Sequence, residues 1–190
     1  MRNVLMIVSG PSGVGKGTLV KRLVKERADV TECITCTTRA PRAGEVHGRE
    51  YFFLTKEEFL KRIDEQGFLE YDEHFGNYYG TPKAFVEETL KEKSVVLEID
   101  VVGALNAKKI YPDSVLIMVA PPSKEELAAR LRGRGSETEE EIERRLSRLE
   151  YELSQSDKYD YVLVNDDLEE AYKKFNQLLD KEKINVKGEN

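Results

Sequence analysis

The chain has little of what marks secreted, membrane-spanning or nucleic-acid-coating proteins. Only two of its 190 residues are cysteine, Cys33 and Cys36. Two thiols do not make a disulfide scaffold at this length. They form a C-x-x-C, yet Glu32-Cys33-Ile34-Thr35-Cys36-Thr37 reads as an extended strand, on which residues three apart point to opposite faces. A redox pair instead needs its second cysteine in the first turn of a helix. With only His47 and His74 besides, a zinc site is not expected. The longest purely apolar runs, 4–8 and 115–120, fall far short of the roughly 20 residues that span a bilayer. Gly10 and Lys16 follow the first run at once, so no secretory cleavage pattern forms and a cytoplasmic protein without membrane contact is expected. Positive charge is short too: 30 Lys and Arg stand against 36 Asp and Glu, a net charge of -6. That argues against a nucleic-acid partner bound through bulk charge. No repeat or low-complexity linker breaks the chain, and its length suits one core with small inserted lobes.

What is present is an alternation. Apolar runs at 4–8, 95–99, 115–120 and 161–164 read as buried parallel strands, each followed by a helical stretch, which predicts an α/β fold with a parallel sheet. Helices are expected over about 15–27, 56–66, 82–92, 123–132, 138–156 and 168–183. The last follows Asn165-Asp166-Asp167, an N-cap cluster. Residues 33–81 break the alternation with short Tyr-, Phe-, Thr- and Gly-rich pieces around one helix, as an inserted, mostly β lobe would. Residues 133–148 carry two glycines and dense charge and read as a mobile arm.

The strongest local signal is Gly10-Pro11-Ser12-Gly13-Val14-Gly15-Lys16-Gly17-Thr18. It follows a strand and opens a helix, the context of the phosphate-binding G-x-x-x-x-G-K-[ST] loop. Glycines let successive N–H groups curl inward around an anion, and the helix dipole adds positive potential. Lys16 reaches the outer phosphates of a nucleoside triphosphate such as ATP. Position 17 is glycine, and the hydroxyl arrives only at Thr18. The residue that often ligates Mg²⁺ therefore cannot do so, leaving waters or another oxygen donor. The strand Val95-Val96-Leu97-Glu98-Ile99-Asp100 ends in carboxylates, and Asp100 suits Mg²⁺ or its water shell. Asp100-Val101-Val102-Gly103 fits the GTPase D-x-x-G, but no N-K-x-D base-reading motif accompanies it.

In the inserted lobe, Thr37-Thr38-Arg39-Ala40-Pro41-Arg42 sets two guanidinium forks around a stiff turn, able to grip a dianionic phosphate. Alone, such spacing is ordinary for surface arginines. It is joined by Gly48-Arg49-Glu50-Tyr51-Phe52-Phe53, Gly67-Phe68-Leu69-Glu70-Tyr71 and Gly76-Asn77-Tyr78-Tyr79-Gly80-Thr81. With the phosphate loop, Ala120-Pro121-Pro122-Ser123, the 132–139 segment and Val164-Asn165-Asp166-Asp167, this ordered set resembles the guanylate kinase family, bacterial type, over residues 3–182.

The resemblance implies a P-loop three-layer core with a parallel sheet (3–32, 82–132 and 149–182), a GMP-binding lobe (33–81), a lid (133–148) and a polar tail (183–190). It implies phosphoryl transfer from ATP, with Mg²⁺, to GMP. Arg39, Arg42, Tyr51 and Tyr79 would hold the GMP phosphate. Glu70 would read guanine with the hydroxyls of Thr35 and Thr81, where many relatives carry serine. Glu98 and Asp100 match the acidic strand end near the GMP ribose and the metal, Asp100 reaching it through water. Relatives carry Gln before Gly103, where this chain has Val102. Lys16, Arg39, Arg130, Arg134 and Arg145 would neutralise the transferring group. Arg144 and Arg148 are expected to pair toward solvent, and i,i+4 spacing also allows Glu140–Arg144 and Glu141–Arg145 surface pairs. Guanine offers two adjacent donors, N1–H and N2–H₂, which one carboxylate accepts together, whereas adenine's bare N1 would be repelled. The alternatives are a non-catalytic, guanylate-kinase-like phosphopeptide-binding module and a kinase for AMP or another small acceptor. No motif fixes an oligomeric state.

Overall fold

The computed structural model describes residues 2–74, 76–133 and 138–185. Strand β1 (Leu5–Ser9) is buried along its whole length and leads into α1 (Lys16–Glu26). Next come β2 (Val30–Glu32), β3 (Cys36–Thr37), β4 (Phe52–Phe53), α2 (Lys56–Asp64), β5 (Phe68–His74), β6 (Asn77–Pro82) and α3 (Lys83–Thr89). The chain continues through β7 (Ser94–Glu98), α4 (Val101–Ile110), β8 (Val115–Ala120), α5 (Lys124–Gly133) and α6 (Glu139–Ser154). A 3₁₀ turn (Ser156–Lys158), β9 (Tyr161–Val164) and α7 (Leu168–Ile184) complete it.

Five strands pair in the order β2-β7-β1-β8-β9, every neighbour parallel. Alternation of side chains sorts β1 onto two faces. Met6 and Val8 join Leu19, Leu23, Phe175 and Leu179 on the α1–α7 face, while Leu5 and Ile7 join Leu97, Val101, Ala104 and Ala107 on the α4 face. Helices on both sides of a parallel sheet whose central strands β7, β1 and β8 are buried make the expected three-layer α/β core. A second sheet, β4-β3-β6-β5, forms the inserted lobe over its own small core of Cys36, Phe59 and Phe68.

Several expectations need correction. The parallel sheet has five strands, because the three-residue β2 pairs along β7. Residues 32–37 are not one strand: β2 ends at Glu32 in the large sheet, and Cys36 opens β3 in the small one. Both thiols are free and buried in different cores. Burial pushes both up, Cys36 to about 11, so neither is a nucleophile at neutral pH. The helical stretch expected after 95–99, for which the sequence set no bounds, is α4. Helix α6 runs unbroken through residue 148, as the expected 138–156 helix does, with Ile142 and Leu149 buried on the main core. Helix α7 extends to Ile184. Its Lys183, 7% exposed, reaches Asp29 at 2.5 Å, and Asp29 also binds Arg27 at 2.9 Å. Residues 186–190 lie outside the described residues.

Gly10 links the sheet to the loop above it. It has φ +135°, and a Cβ there would stand 2.1 Å from the Val119 carbonyl oxygen of β8. Neither backbone can retreat without breaking the β1–β8 ladder. Gly10→Ala is therefore expected to cost roughly 3–5 kcal/mol and to lower Tm by about 10 °C. A thermal melt within 2 °C of the parent (about 1 kcal/mol or less) would contradict this reading.

Candidate active site

The phosphate loop joins β1 to α1. Five other helices close their N-termini with a side chain: Thr55, Asp100, Ser123, Thr138 and Asp167 each accept a backbone N–H from three residues on. Helix α1 does not. Its N-cap is Gly15, no side chain caps it, and its first turn holds no acid. The free N–H groups and the positive dipole end are left for an anion. The loop is held from behind. Asn165, buried after β9, donates from Nδ2 to the Val14 carbonyl at 2.7 Å, and the Ser9 hydroxyl meets the Tyr159 phenol. Lys16 Nζ donates to the Gly10 and Pro11 carbonyls at 2.7 and 3.0 Å, so the ammonium arches over Gly10-Pro11. Ser12, Gly13, Gly15, Gly17 and Thr18 line the adjoining groove.

Glu98 ends β7 and faces α1. A Cβ on Gly17 would lie 3.2 Å from Glu98 Oε2, so this carboxylate fills the space beside the residue after the lysine. Asp100 spends one oxygen on the Gly103 N–H at 2.7 Å, capping α4, while still lining the cleft. Among the described residues no three His, Cys, Asp or Glu side chains gather as a metal cage. Hard carboxylate oxygens beside a phosphate cradle suit Mg²⁺, which keeps several waters and takes few protein ligands when it binds with phosphates.

The second pocket, about 430 Å³, is lined by Thr35, Tyr51, Glu70, Tyr79, Asp100 and Gly103. It shares Thr35, Tyr51, Glu98 and Asp100 with a central cleft of about 940 Å³ that also contains Ser12, Lys16, Arg148 and Glu152. Glu70 owes its place to a β-bulge. Phe68 pairs with Pro82 but Glu70 with Thr81, so Leu69 is the extra residue on β5. Phe68 fills the small core, Leu69 the α4 face of the main core, and Glu70 comes opposite Thr81. Thr81 Oγ1 donates to Glu70 Oε1 at 2.5 Å. Gly103 gives room on the other side, since a Cβ there would come 3.1 Å from Glu70 Oε2. Burial raises the Glu70 pKa above the usual carboxylate value. The Thr81 hydrogen bond pulls it partly back, and nearby Asp100 and Asp72 raise it further.

Arg39 lies over two neighbouring rings, its guanidinium 5.5 Å from the Tyr51 ring centre and 6.0 Å from that of Phe53. Tyr51 and Tyr79 meet edge to face at 6.2 Å. Arg39 Nη2 donates to both oxygens of Glu45 at 2.9 Å, a partner that no sequence motif announced. Arg42 remains exposed at the end of the same turn.

The remaining arginines divide. Arg130 on α5 donates to the Asn165 and Asp166 carbonyls at 2.7 and 3.1 Å and to Glu126, which places it beside the loop's outer flank. Arg145 on α6 reaches the Ser12 hydroxyl. Glu141, the surface partner that i,i+4 spacing allowed, closes a capping box with Thr138. Arg148 pairs with Glu152 at 3.7 Å, but the pair lines the central cleft rather than open surface. Arg134 lies outside the described residues.

The guanylate kinase family model matches residues 2–182. The chain is 50% identical over 186 residues to a guanylate kinase of Clostridium perfringens, spanning 97% of this chain and 86% of the relative. It is 47% identical to the guanylate kinase of Synechocystis over 183 residues, 96% of each. The crystal structure of guanylate kinase from Anaplasma phagocytophilum matches with a TM-score of 0.73 and 33% identity, over 97% of this chain and 88% of that one.

Proposed function

The chain belongs to the guanylate kinase family, and from that premise we propose that it transfers the γ-phosphoryl group of ATP to GMP, giving ADP and GDP. The observation that carries the acceptor assignment is Glu70: a half-buried carboxylate held by Thr81 in a pocket that opens onto the same cleft as the phosphate loop. ATP's phosphates lie in the loop 10–18, on the uncapped end of α1, with Lys16 on the outer phosphates. Thr35, Glu70 and Thr81 take the guanine edge. Tyr51, Tyr79, Arg39 and Arg42 take the GMP phosphate, and Glu98 and Asp100 lie beside the ribose.

No covalent intermediate is needed. A GMP phosphate oxygen attacks the γ-phosphorus in line, and the protein contributes positioning and positive charge. Lys16 leaves the loop carbonyls to follow the charge. Arg145, already beside Ser12, adds a second cation, and Arg130 flanks the nucleotide. Glu98 and Asp100 would hold Mg²⁺ or its water shell, and the ion would supply charge neutralisation on ATP's phosphates. Both substrates are cytoplasmic nucleotides, and we place the protein there. Among the described residues no helix is long and apolar enough to cross a membrane.

The test offers ATP and Mg²⁺ with GMP or AMP as acceptor and measures ADP. Turnover with GMP is expected. Equal turnover with AMP would remove the base-reading role of Glu70. Folded protein without turnover on either would return the reading to the phosphopeptide-binding module, which nothing in the family match or the site favours.

A further inference from the structure

We propose that Glu45 is a positioning residue for the acceptor phosphate: it clamps Arg39 so that this guanidinium meets the incoming dianion already oriented. The inference rests on the GMP site proposed above and deepens it. The local sequence builds the clamp. The Glu45 N–H donates to the Arg42 carbonyl at 3.1 Å, closing a turn over Ala43 and Gly44. Gly44 has φ +87°, as the third position of a type II turn requires. The turn folds Glu45 back onto the arginine segment. One oxygen, Oε2, accepts from the Arg42 backbone N–H at 2.7 Å and from Arg39 Nη2 at 2.9 Å, while Oε1 accepts from Arg39 Nη2 at 2.9 Å.

The ion pair is shielded, with side-chain exposures of 16% for Arg39 and 17% for Glu45. Every residue from 40 to 44, and Val46 and His47, is exposed, so Glu45 alone in this stretch turns inward. Arg39 Nη1 is tied to the Ala40 carbonyl at 2.7 Å, and the plane lies over Tyr51 and Phe53. Arginine has five N–H donors. Anchors on Glu45, the Ala40 carbonyl and the Tyr79 side chain fix the fork, and its five donors still leave one for a ligand. A pre-oriented fork loses less rotamer freedom on binding than a loose one.

A carboxylate beside a phosphate site also repels the phosphate. Positioning and competition therefore predict opposite signs, and the geometry favours positioning, because the carboxylate takes one edge of the fork and simultaneously fixes the turn that carries Arg42. The experiment measures equilibrium binding of GMP and of guanosine, without ATP, to the parent, Glu45→Gln and Glu45→Ala. Guanosine keeps the base and ribose and lacks the phosphate. GMP affinity is expected to fall roughly 10-fold or more in Glu45→Ala and less in Glu45→Gln, which keeps an acceptor oxygen. Guanosine affinity is expected to stay within about twofold, since Glu70 and Thr81 are untouched. Unchanged or tighter GMP binding would overturn the proposal and make Glu45 a bystander or a competitor. Equal loss for both ligands would also overturn it, assigning Glu45 to the integrity of the lobe. If the parent bound neither ligand, the proposed function itself would fail, an outcome separate from these.

Discussion

Glu70→Gln is expected to lower kcat/KM for GMP by about 10³–10⁴-fold while KM for ATP stays within about twofold. The substitution keeps the shape and one oxygen. It replaces the second oxygen by an NH₂ donor, which faces the donor edge of guanine in a pocket that Thr81 and Gly103 hold tightly around the carboxylate. A buried donor set against another donor has no water to fall back on. The parent should show an acid limb in kcat/KM for GMP, which reports the free enzyme. Burial raises the Glu70 pKa. As pH falls through that raised value the carboxyl gains a proton, presents a donor, and GMP recognition is lost. The limb should vanish in Glu70→Gln. The same shift has a stability sign. A carboxylate raised in the folded state contributes stability in acid that is lost as pH rises through its folded pKa. GMP, binding the ionised form, should steepen its stabilisation of the protein over the same window. A Glu70→Gln enzyme that keeps GMP efficiency within tenfold (about 1.4 kcal/mol) would place base reading elsewhere.

Lys16→Met is expected to cut kcat by about 10³-fold or more with GMP binding unchanged. The ammonium is the cation built into the phosphate loop, and methionine keeps much of its stem without the charge. The folded state loses two hydrogen bonds to the Gly10 and Pro11 carbonyls, each worth about 1 kcal/mol at a site open to water. The loop retains its other anchors, the Asn165 amide on Val14 and the Ser9–Tyr159 contact. A modest fall in Tm with a large fall in kcat is thus the signature. A parallel collapse of kcat, GMP binding and Tm would mean that Lys16 holds the loop together rather than acting on phosphate.

What was legible in the sequence was what is contiguous. The phosphate loop announced itself because nine adjacent residues carry the whole motif between a strand and a helix. The buried strands were plain because β8 is apolar throughout and β1 is apolar up to Val8. Helix α4 was not, because its valines, alanines, Leu105 and Gly103 spread around the axis, with Val102 exposed while Val101, Ala104 and Ala107 are buried. Strand β2 has three residues and only Val30 fully buried, so its identity comes from its neighbour β7. Family resemblance drew Glu70 and the arginine turn together, although residues 39 and 70 share no local pattern. Glu45 escaped both kinds of reading. A glutamate after glycine suggests a solvated turn, and only the folded loop turns it onto Arg39. The i,i+4 spacing only allowed a Glu141–Arg145 pair, and a helix terminus competes for the same carboxylate, which closes the capping box.

The bulge at Leu69 makes the acceptor pocket a matter of chain length as much as of chemistry. A side chain's face in a sheet is set by counting residues, and a one-residue slip turns every later side chain over. Strand β5 runs one residue longer than the stretch of β6 it follows, and that surplus carries Phe68 into one core, Leu69 into another and Glu70 opposite Thr81. Position 69 itself asks only for an apolar residue of suitable size. Drift in composition is therefore cheap at this point, whereas a deletion would remove the surplus residue that lets Phe68 and Leu69 fill separate cores while Glu70 stays opposite Thr81.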